Sequence, residues 1–245
     1  FKDVPECLTV DADIMDFNPK QLNITDRYHE GTFSMKAKAG ILYPASLQKL
    51  EADITVTDFK LEGDSAGLGP YCFRSLSLKT NPCAKGQHVT LRSDFADFEY
   101  EGPVQKKELE SLCTSTLTDI LNGEKQSAEA FVSRNRDAGP HAASFVLSFK
   151  DAELLRRIAR LDIRQQGTLN ANGHIGHCGE TLSLSVIAPE LSFGNFNIAQ
   201  LSLFAFHHDN HFSLLAKAVK DMRNGRLQAE LTMKKAVDGR IATDI

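Results

Sequence analysis

Several features that mark common functional classes are missing from this 245-residue sequence. No run of lysine or arginine is long enough to neutralise a row of phosphates, so nucleic acid is not expected as a partner. The longest apolar runs, such as Leu203–Phe206, fall far short of the roughly 20 residues that a bilayer-spanning helix needs. The first ten residues lack the basic start and apolar stretch of a signal peptide. We therefore expect an internal piece of a longer protein, with any membrane anchor outside it.

Cysteine and histidine do not form a recognisable metal site. The five cysteines are an odd number without short metal-type spacing, and no two are obviously placed for a disulfide, so we predict five free thiols. The clusters His174–Cys178 and His207–His211 contain suitable ligand types, but each falls at a predicted hairpin turn, where side chains point apart. The sequence predicts neither a metal nor a cofactor.

Catalytic motifs are also missing. The chain has no Gly-rich phosphate loop, no Gly-x-Ser-x-Gly elbow and no His-Glu-x-x-His motif. The acidic group Asp94, Asp97 and Glu99 could serve acid–base or calcium chemistry only if its carboxylates converged. A strand would place Phe95 and Asp97 on one side and Asp94 and Phe98 on the other, which separates the acids. We therefore predict that the protein is not an enzyme.

Alternation of apolar and polar residues dominates the chain. Hydrophobic residues make up 42% and charged residues 24%, which is typical of a folded domain. Leu8–Ile14 and Phe33–Ile41 alternate strictly and therefore predict half-buried strands. The same pattern recurs at Ile54–Val56, Leu76–Leu78, Val89–Leu91, Leu182–Val186, Leu201–Leu203 and Leu227–Leu231.

Residues typical of tight turns separate these segments. Asn-Gly and Asp-Gly pairs supply the positive φ angles of hairpin turns, so consecutive strands are expected to pair as an antiparallel meander. The predicted turns lie at Glu62–Asp64, Asn81–Pro82, Lys85–Gly86, Asn172–Gly173, His208–Asn210, Asn224–Gly225 and Asp238–Gly239.

Three segments predict helices. After Pro103, apolar residues recur at a helical period over roughly 104–121, and Asn122–Gly123 ends the pattern. Two shorter amphipathic segments follow strands directly, near 18–24 and 151–159. Each begins with a residue that can cap a helix, Asn18 or Asp151.

The chain also predicts an internal duplication. Arg74–Leu78 matches Ala199–Leu203, and His88–Leu91 matches His211–Leu214. We interpret 1–102 as a first β repeat, 103–142 as a helix and linker, and 143–245 as a second β repeat. The predicted fold is mostly β: an elongated, antiparallel, curved sheet from two tandem repeats, open like a gutter or closed like a sandwich, with one longer and two short helices.

The apolar face shared by the strands is the candidate site. In a closed sandwich these side chains form the core, whereas in an open curved sheet they line a groove for acyl chains. The groove candidates are Phe33, Met35, Ile54, Val56, Leu76, Leu78, Leu182, Leu184, Leu201, Leu203, Phe212 and Leu214.

Three stretches resemble the TamB branch of the AsmA-like superfamily, in the form found in Bacteroidetes. They are Asp16–Tyr28, Leu91–Gly102 with the helix after it, and Ser144–Asp151. The resemblance covers nearly the whole chain through strand patterning and these local phrases, and it includes no catalytic motif.

The resemblance implies an internal length of a long periplasmic body. Proteins of this family have an inner-membrane anchor, a gutter-shaped β-rich body with an apolar interior, and a C-terminal region that meets an outer-membrane barrel of the TamA or BamA type. The implied function is phospholipid transport between the two membranes through the apolar groove. The alternative is a scaffold for outer-membrane protein assembly or secretion, which recruits client strands at open sheet edges by β-augmentation.

Overall fold

The structure is a computed structural model. It describes residues 6–18, 32–43, 49–62, 69–105, 107–108, 110, 142–158, 163–176, 182–193, 196–208, 211–222, 225–235 and 241–244.

Strands account for nearly all of the regular structure in these residues. The first half contains β1 (Glu6–Phe17), β2 (Phe33–Tyr43), β3 (Glu51–Leu61), β4 (Tyr71–Cys83), β5 (Gly86–Ser93) and β6 (Ala96–Gly102). The second half contains β7 (Ala142–Phe149), helix α1 (Glu153–Ile158), β8 (Ile163–Gln166), β9 (Leu169–Gly176), β10 (Leu182–Ala188), β11 (Glu190–Phe193), β12 (Phe196–Ile198), β13 (Gln200–His208), β14 (His211–Met222), β15 (Gly225–Lys235) and β16 (Ile241–Asp244).

The strands form one large and one small antiparallel sheet. The large sheet has 13 strands in the order β1-β2-β3-β4-β5-β6-β7-β9-β10-β13-β14-β15-β16, and the small sheet has the order β12-β11-β8. Nearly every strand of the large sheet pairs with its neighbour in sequence, as the turn chemistry predicted. Among the described strands β1 pairs only with β2 and β16 only with β15, so the large sheet is open. The prediction of a mostly β, antiparallel, curved sheet is confirmed.

Helix α1 and the small sheet lie along one edge of the large sheet. We call this the helix-side edge. It is formed by the ends of strands rather than by an edge strand, and it contains the C-terminal ends of β1, β3, β5, β7 and β10. Gln165 of β8 donates a hydrogen bond to the Phe149 carbonyl over 2.6 Å, and the Ala199 amide donates to the Val219 carbonyl over 2.7 Å. These bonds attach the small sheet to the ends of β7 and β14.

Helix α1 begins within the segment predicted near 151–159. The Glu153 amide donates to the Asp151 carboxylate over 2.8 Å, so Asp151 caps the helix as predicted. Leu154 of α1 packs with Tyr71 and Phe73 of β4 in a small buried cluster. The predicted helix near 18–24 and most of the predicted helix over 104–121 lie outside the described residues.

A row of aromatic rings lies along the helix-side edge. Neighbouring ring centroids are 5.1 Å apart for Phe17 and Phe33, 6.1 Å for Phe33 and Phe59, 4.6 Å for Phe59 and Phe73, and 5.5 Å for Phe73 and Phe95. The row crosses β1 to β4 and reaches the turn between β5 and β6. It joins the cluster around Leu154 into one apolar edge.

Two irregularities allow this aromatic row to share a face with the residues before it. Three positions separate Ile14 from Phe17 and Val56 from Phe59, which strict alternation would place on opposite faces. Asp16 and Asp58 lie between them with φ angles of 47° and 55°. Asp is one of the few residues that adopts this left-handed conformation readily, so it shifts the alternation at these points.

Two predicted turns are wrong. Asn172–Gly173 lies within β9, and Asn81–Pro82 lies within β4, which continues to Cys83 before the turn at Ala84–Lys85. In both cases the dipeptide chemistry suits a turn, but cross-strand pairing holds the backbone extended, on both sides for Asn172–Gly173 and with β5 for Asn81–Pro82.

Candidate functional site

One face of the large sheet carries a continuous row of apolar residues across twelve strands. Because residues paired directly across neighbouring strands point to the same face, the strand registers define this row. We call the face that carries it the inner face. From β1 to β15 the central row is Val10, Ala39, Ile54, Leu78, Leu91, Phe98, Leu147, Ala171, Val186, Leu203, Ala216 and Leu231.

The central row contains no polar or charged residue. With about 4.8 Å between neighbouring strands, a row across twelve strands measures roughly 50 Å along the sheet. The inner face is therefore an apolar path whose direction is perpendicular to the strands.

A second row lies beside the central one. It runs from Leu8 to Thr243 as Leu8, Ile41, Ala52, Thr80, Val89, Tyr100, Phe145, Gly173, Leu184, Ala205, Leu214, Met233 and Thr243. Two of its hydroxyl groups have partners within the fold. Thr80 donates to Gln87 over 2.8 Å, and Tyr100 donates to the Pro103 carbonyl over 2.5 Å. These hydroxyls therefore leave the inner face largely apolar.

All twelve groove candidates from the sequence lie on the inner face. Ile54, Leu78 and Leu203 belong to the central row, and Leu184 and Leu214 to the second row. The other seven occupy flanking inner-face positions: Phe33, Met35, Val56, Leu76, Leu182, Leu201 and Phe212.

Sequence reasoning missed the residues at the middle of this face. Phe98 and Tyr100 on β6 continue both rows, as do Phe145 and Leu147 on β7. Their alternation is as regular as that of the listed candidates. The missing information was the pairing of β6 with β7, which joins the two halves of the chain.

The inner face is only partly shielded. The buried hydrophobic residues of the described chain include six alanines and few large side chains: Tyr71, Phe73, Leu154 and Val219. Most large inner-face residues are partly exposed, and Leu8 and Val10 on β1 are 56% and 38% exposed. A closed core would bury the middle row of a sheet this wide completely. The structure thus favours an open trough.

The outer face is mainly polar, although Val146, Ile187, Phe204 and Phe206 are exposed on it, and it carries ion pairs between neighbouring strands. Lys38 lies 3.4 Å from Asp11, Lys79 lies 2.8 Å from Asp53, Arg92 lies 3.2 Å from Glu99 and Lys217 lies 3.5 Å from Glu230. Each pair is exposed and contributes at most about 1 kcal/mol. These ion pairs identify the outer face as the solvent-exposed side of the large sheet.

Each carboxylate of the acidic group Asp94, Asp97 and Glu99 is paired with a basic residue or a backbone amide. Asp94 accepts a hydrogen bond from the Arg74 amide over 2.7 Å, and Asp97 lies 2.8 Å from Lys150. The hydrogen bond from Lys150 holds the pKa of Asp97 below its usual value. Asp97 and Glu99 lie on the outer face of β6, whereas Asp94 lies in the turn before it. Phe95 does not share a side with Asp97, because it lies in the same turn and packs against Phe73.

The histidine and cysteine positions form no metal site among the described residues. His174 lies on the outer face of β9, opposite Ser144 and Ser183, rather than in a turn. Cys7, Cys72 and Cys83 are free thiols, and Cys113 and Cys178 lie outside the described residues. The prediction of five free thiols therefore agrees with the three that are described.

A polar cluster anchors helix α1 beside the apolar face. Arg157 donates to Glu153 over 2.7 Å and to the Gly69 carbonyl, and its guanidinium lies 5.6 Å from the centre of the Tyr71 ring. Tyr71 donates to Asp151 over 3.4 Å, and burial with the nearby Asp151 carboxylate raises the pKa of Tyr71. The cluster satisfies these groups within the fold and holds the helix-side edge in place.

Comparisons of the chain with family models, with curated proteins and with solved structures found no match. In the described part of the chain, no helix is long and apolar enough to cross a membrane.

Proposed function

We propose that this chain is an internal segment of a periplasm-spanning TamB/AsmA-like protein, and that its inner face shields acyl chains during phospholipid transport between the inner and outer membranes. The observation that supports this proposal most directly is the central row, which crosses twelve strands without a polar side chain. Each methylene group kept out of water contributes about 0.8 kcal/mol, so a continuous trough can carry an acyl chain without an energised step.

The chemistry of the inner face favours an acyl chain over an extended peptide. The backbone amides and carbonyls of the paired strands bond to each other across the sheet. They therefore cannot satisfy the backbone of an extended peptide lying on the face, and each group left unsatisfied is costly. An acyl chain has no such groups.

The strand order also suits the duplication that the sequence predicts. If 1–102 and 143–245 are two copies, β1 to β6 correspond in order to β7, β9, β10, β13, β14 and β15. The matched phrases agree, since Arg74–Leu78 lies on β4 and Ala199–Leu203 lies on β13 from Gln200 onward. His88–Leu91 and His211–Leu214 lie on β5 and β14. Strands β8, β11 and β12 are then insertions in the second copy. Such repeats would lengthen the trough without changing its cross-section.

The remaining parts of the proposal concern regions outside this chain. The inner-membrane anchor and the contact with a TamA- or BamA-type barrel belong to those regions, and this segment lies in the periplasm. It acts without a cofactor and without catalysis.

Photo-crosslinking in the full-length protein in cells tests the proposal. A photoreactive residue is placed at Ile54, Leu78 or Leu203 on the central row. Its matched controls are Thr55, Ser77 and Ser202, the adjacent residues on the outer face. We expect phospholipid adducts at the central-row positions only. Equal labelling on both faces, or none on either, in a folded protein would refute the trough.

A second candidate function is a scaffold that pairs with client strands. It is favoured by the twelve-residue edge strand β1, which among the described strands pairs on one side only. The same photoreactive residue at Thr9 on β1 separates the two functions. Protein adducts at Thr9 without lipid adducts at Leu78 would favour the scaffold.

A further inference from the structure

One strand past the β6–β7 pairing that joins the two halves of the chain, Phe145 of β7 lies directly opposite Gly173 of β9 on the inner face, and we call this position the β7–β9 junction. Phe98, Tyr100 and Leu147 are bulky inner-face neighbours on the β6 and β7 side of this junction. On β9 the corresponding positions of the two rows are Ala171 and Gly173. The floor of the trough therefore changes from large to small side chains within a single strand spacing.

The Phe145 ring fills the space over Gly173. A Cβ atom added to Gly173 would lie 2.4 Å from Cε1, 3.0 Å from Cζ and 3.2 Å from Cδ1 of that ring. Real carbon atoms approach to roughly 3.5–4.0 Å, so the ring occupies the volume where any larger side chain would begin. Glycine in a strand often permits such a close approach.

Neighbouring side chains limit where the Phe145 ring can move. Tyr100 lies beside Phe145 on β6, and Leu184 lies beyond Gly173 on β10. Leu147 follows Phe145 on the same face of β7, and the buried Ala143 precedes it. The remaining direction is away from the sheet, into the trough. The identity of residue 173 therefore decides whether Phe145 lies against the floor or stands in the path.

We propose that Gly173 keeps Phe145 against the floor of the trough and so sets the clearance for an acyl chain at the β7–β9 junction. This inference rests on the proposed function and adds to it a specific residue pair that limits passage. The Phe145 ring is then the gate that limits how close an acyl chain comes to the sheet at this point. Gly173 is the positioning residue that holds the ring against the sheet.

The test is Gly173→Ala in the full-length protein, with photoreactive residues at Leu78 on one side of the junction and Leu203 on the other. The φ angle of Gly173 is not positive, so the backbone there accepts alanine and the variant is expected to fold. If the raised ring keeps about two methylene groups of the acyl chain from contacting the floor, lipid labelling beyond the junction falls by roughly tenfold relative to labelling before it.

Two further variants separate a gate from a general defect. Gly40→Ala lies on the outer face of β2, where an added Cβ meets nothing within 4 Å, and it should leave labelling at both probes unchanged. Phe145→Ala combined with Gly173→Ala removes the ring and should restore the lost labelling.

The outcomes distinguish this inference from the proposed function. If the wild type is labelled at both probes and Gly173→Ala does not change the ratio of labelling between the two probes, the gate is refuted and the trough is not. No labelling of the wild type at either probe would overturn the trough itself. Failure of the double variant to restore labelling in a folded protein would assign the effect to the backbone and reject the role of Phe145. The probe that loses signal also reports the direction of transport.

Discussion

Replacing Leu78 with alanine measures whether the inner face is an open trough or a closed core. Leu78 lies in the central row between Ile54 and Leu91 and is partly exposed. In a closed core, a Leu→Ala change costs about 2–5 kcal/mol, because a cavity is left behind in addition to the lost transfer free energy.

In an open trough no sealed cavity forms, because water or lipid fills the vacated space. The cost is then a fraction of the transfer free energy of a leucine, which is roughly 1.5–3 kcal/mol for complete burial. For a partly exposed side chain we expect a loss of about 1 kcal/mol in the free energy of unfolding.

The matched control is Phe73→Ala at the helix-side edge. Phe73 is 6% exposed and stacks on Phe59 with ring centroids 4.6 Å apart, so its removal should cost about 3–5 kcal/mol. Urea unfolding followed by circular dichroism gives both values, and unchanged m-values show that the unfolding transitions are comparable. A loss for Leu78→Ala as large as that for Phe73→Ala would show that the inner face is packed, and it would refute the trough.

Two further predictions concern single side chains. Asp58 has a φ of 55°, so Asp58→Val should lower the free energy of unfolding by about 1–2 kcal/mol. Asp58→Asn loses the exposed ion pair with Lys36 but tolerates the same backbone conformation, so it should change the free energy of unfolding little. Equal losses for the two variants in urea unfolding would assign the effect to the ion pair instead. The pKa of Asp97 is held low by its hydrogen bond to Lys150, so this carboxylate contributes stability above its unfolded pKa of about 3.9 and loses that contribution as pH falls through the folded pKa. Stability measured from pH 7 downward should therefore fall more steeply in the wild type than in Asp97→Asn, and parallel curves would contradict this.

The alternation of apolar and polar residues predicts the strands and their antiparallel pairing well. Leu8–Ile14 and Leu182–Val186 pair with their neighbours in the expected manner, and each presents its apolar residues to one face. Alternation does not predict whether that face is open, because a sandwich core and a trough need the same pattern. That distinction depends on how far the sheet closes, which is a property of all its strands together.

Gly173 shows a different limit of sequence reasoning. Asn-Gly is the strongest short signal for a hairpin turn, so Asn172–Gly173 predicts one. The structure instead uses the missing side chain to accommodate Phe145 from another strand. A glycine required by a distant ring and a glycine required by a turn are identical in sequence, and only the pairing of β7 with β9 separates them.

The meander has a consequence for how such a protein could be built. Nearly every strand of the large sheet pairs with the strand just before it, so its contacts are largely local in sequence. Chains whose contacts are local in sequence lose little conformational entropy when each loop closes, and they fold quickly. Each newly made strand finds its partner already in place, and the sheet can grow one strand at a time from the N-terminal end of the chain. The sheet can therefore assemble vectorially, without waiting for the end of the chain.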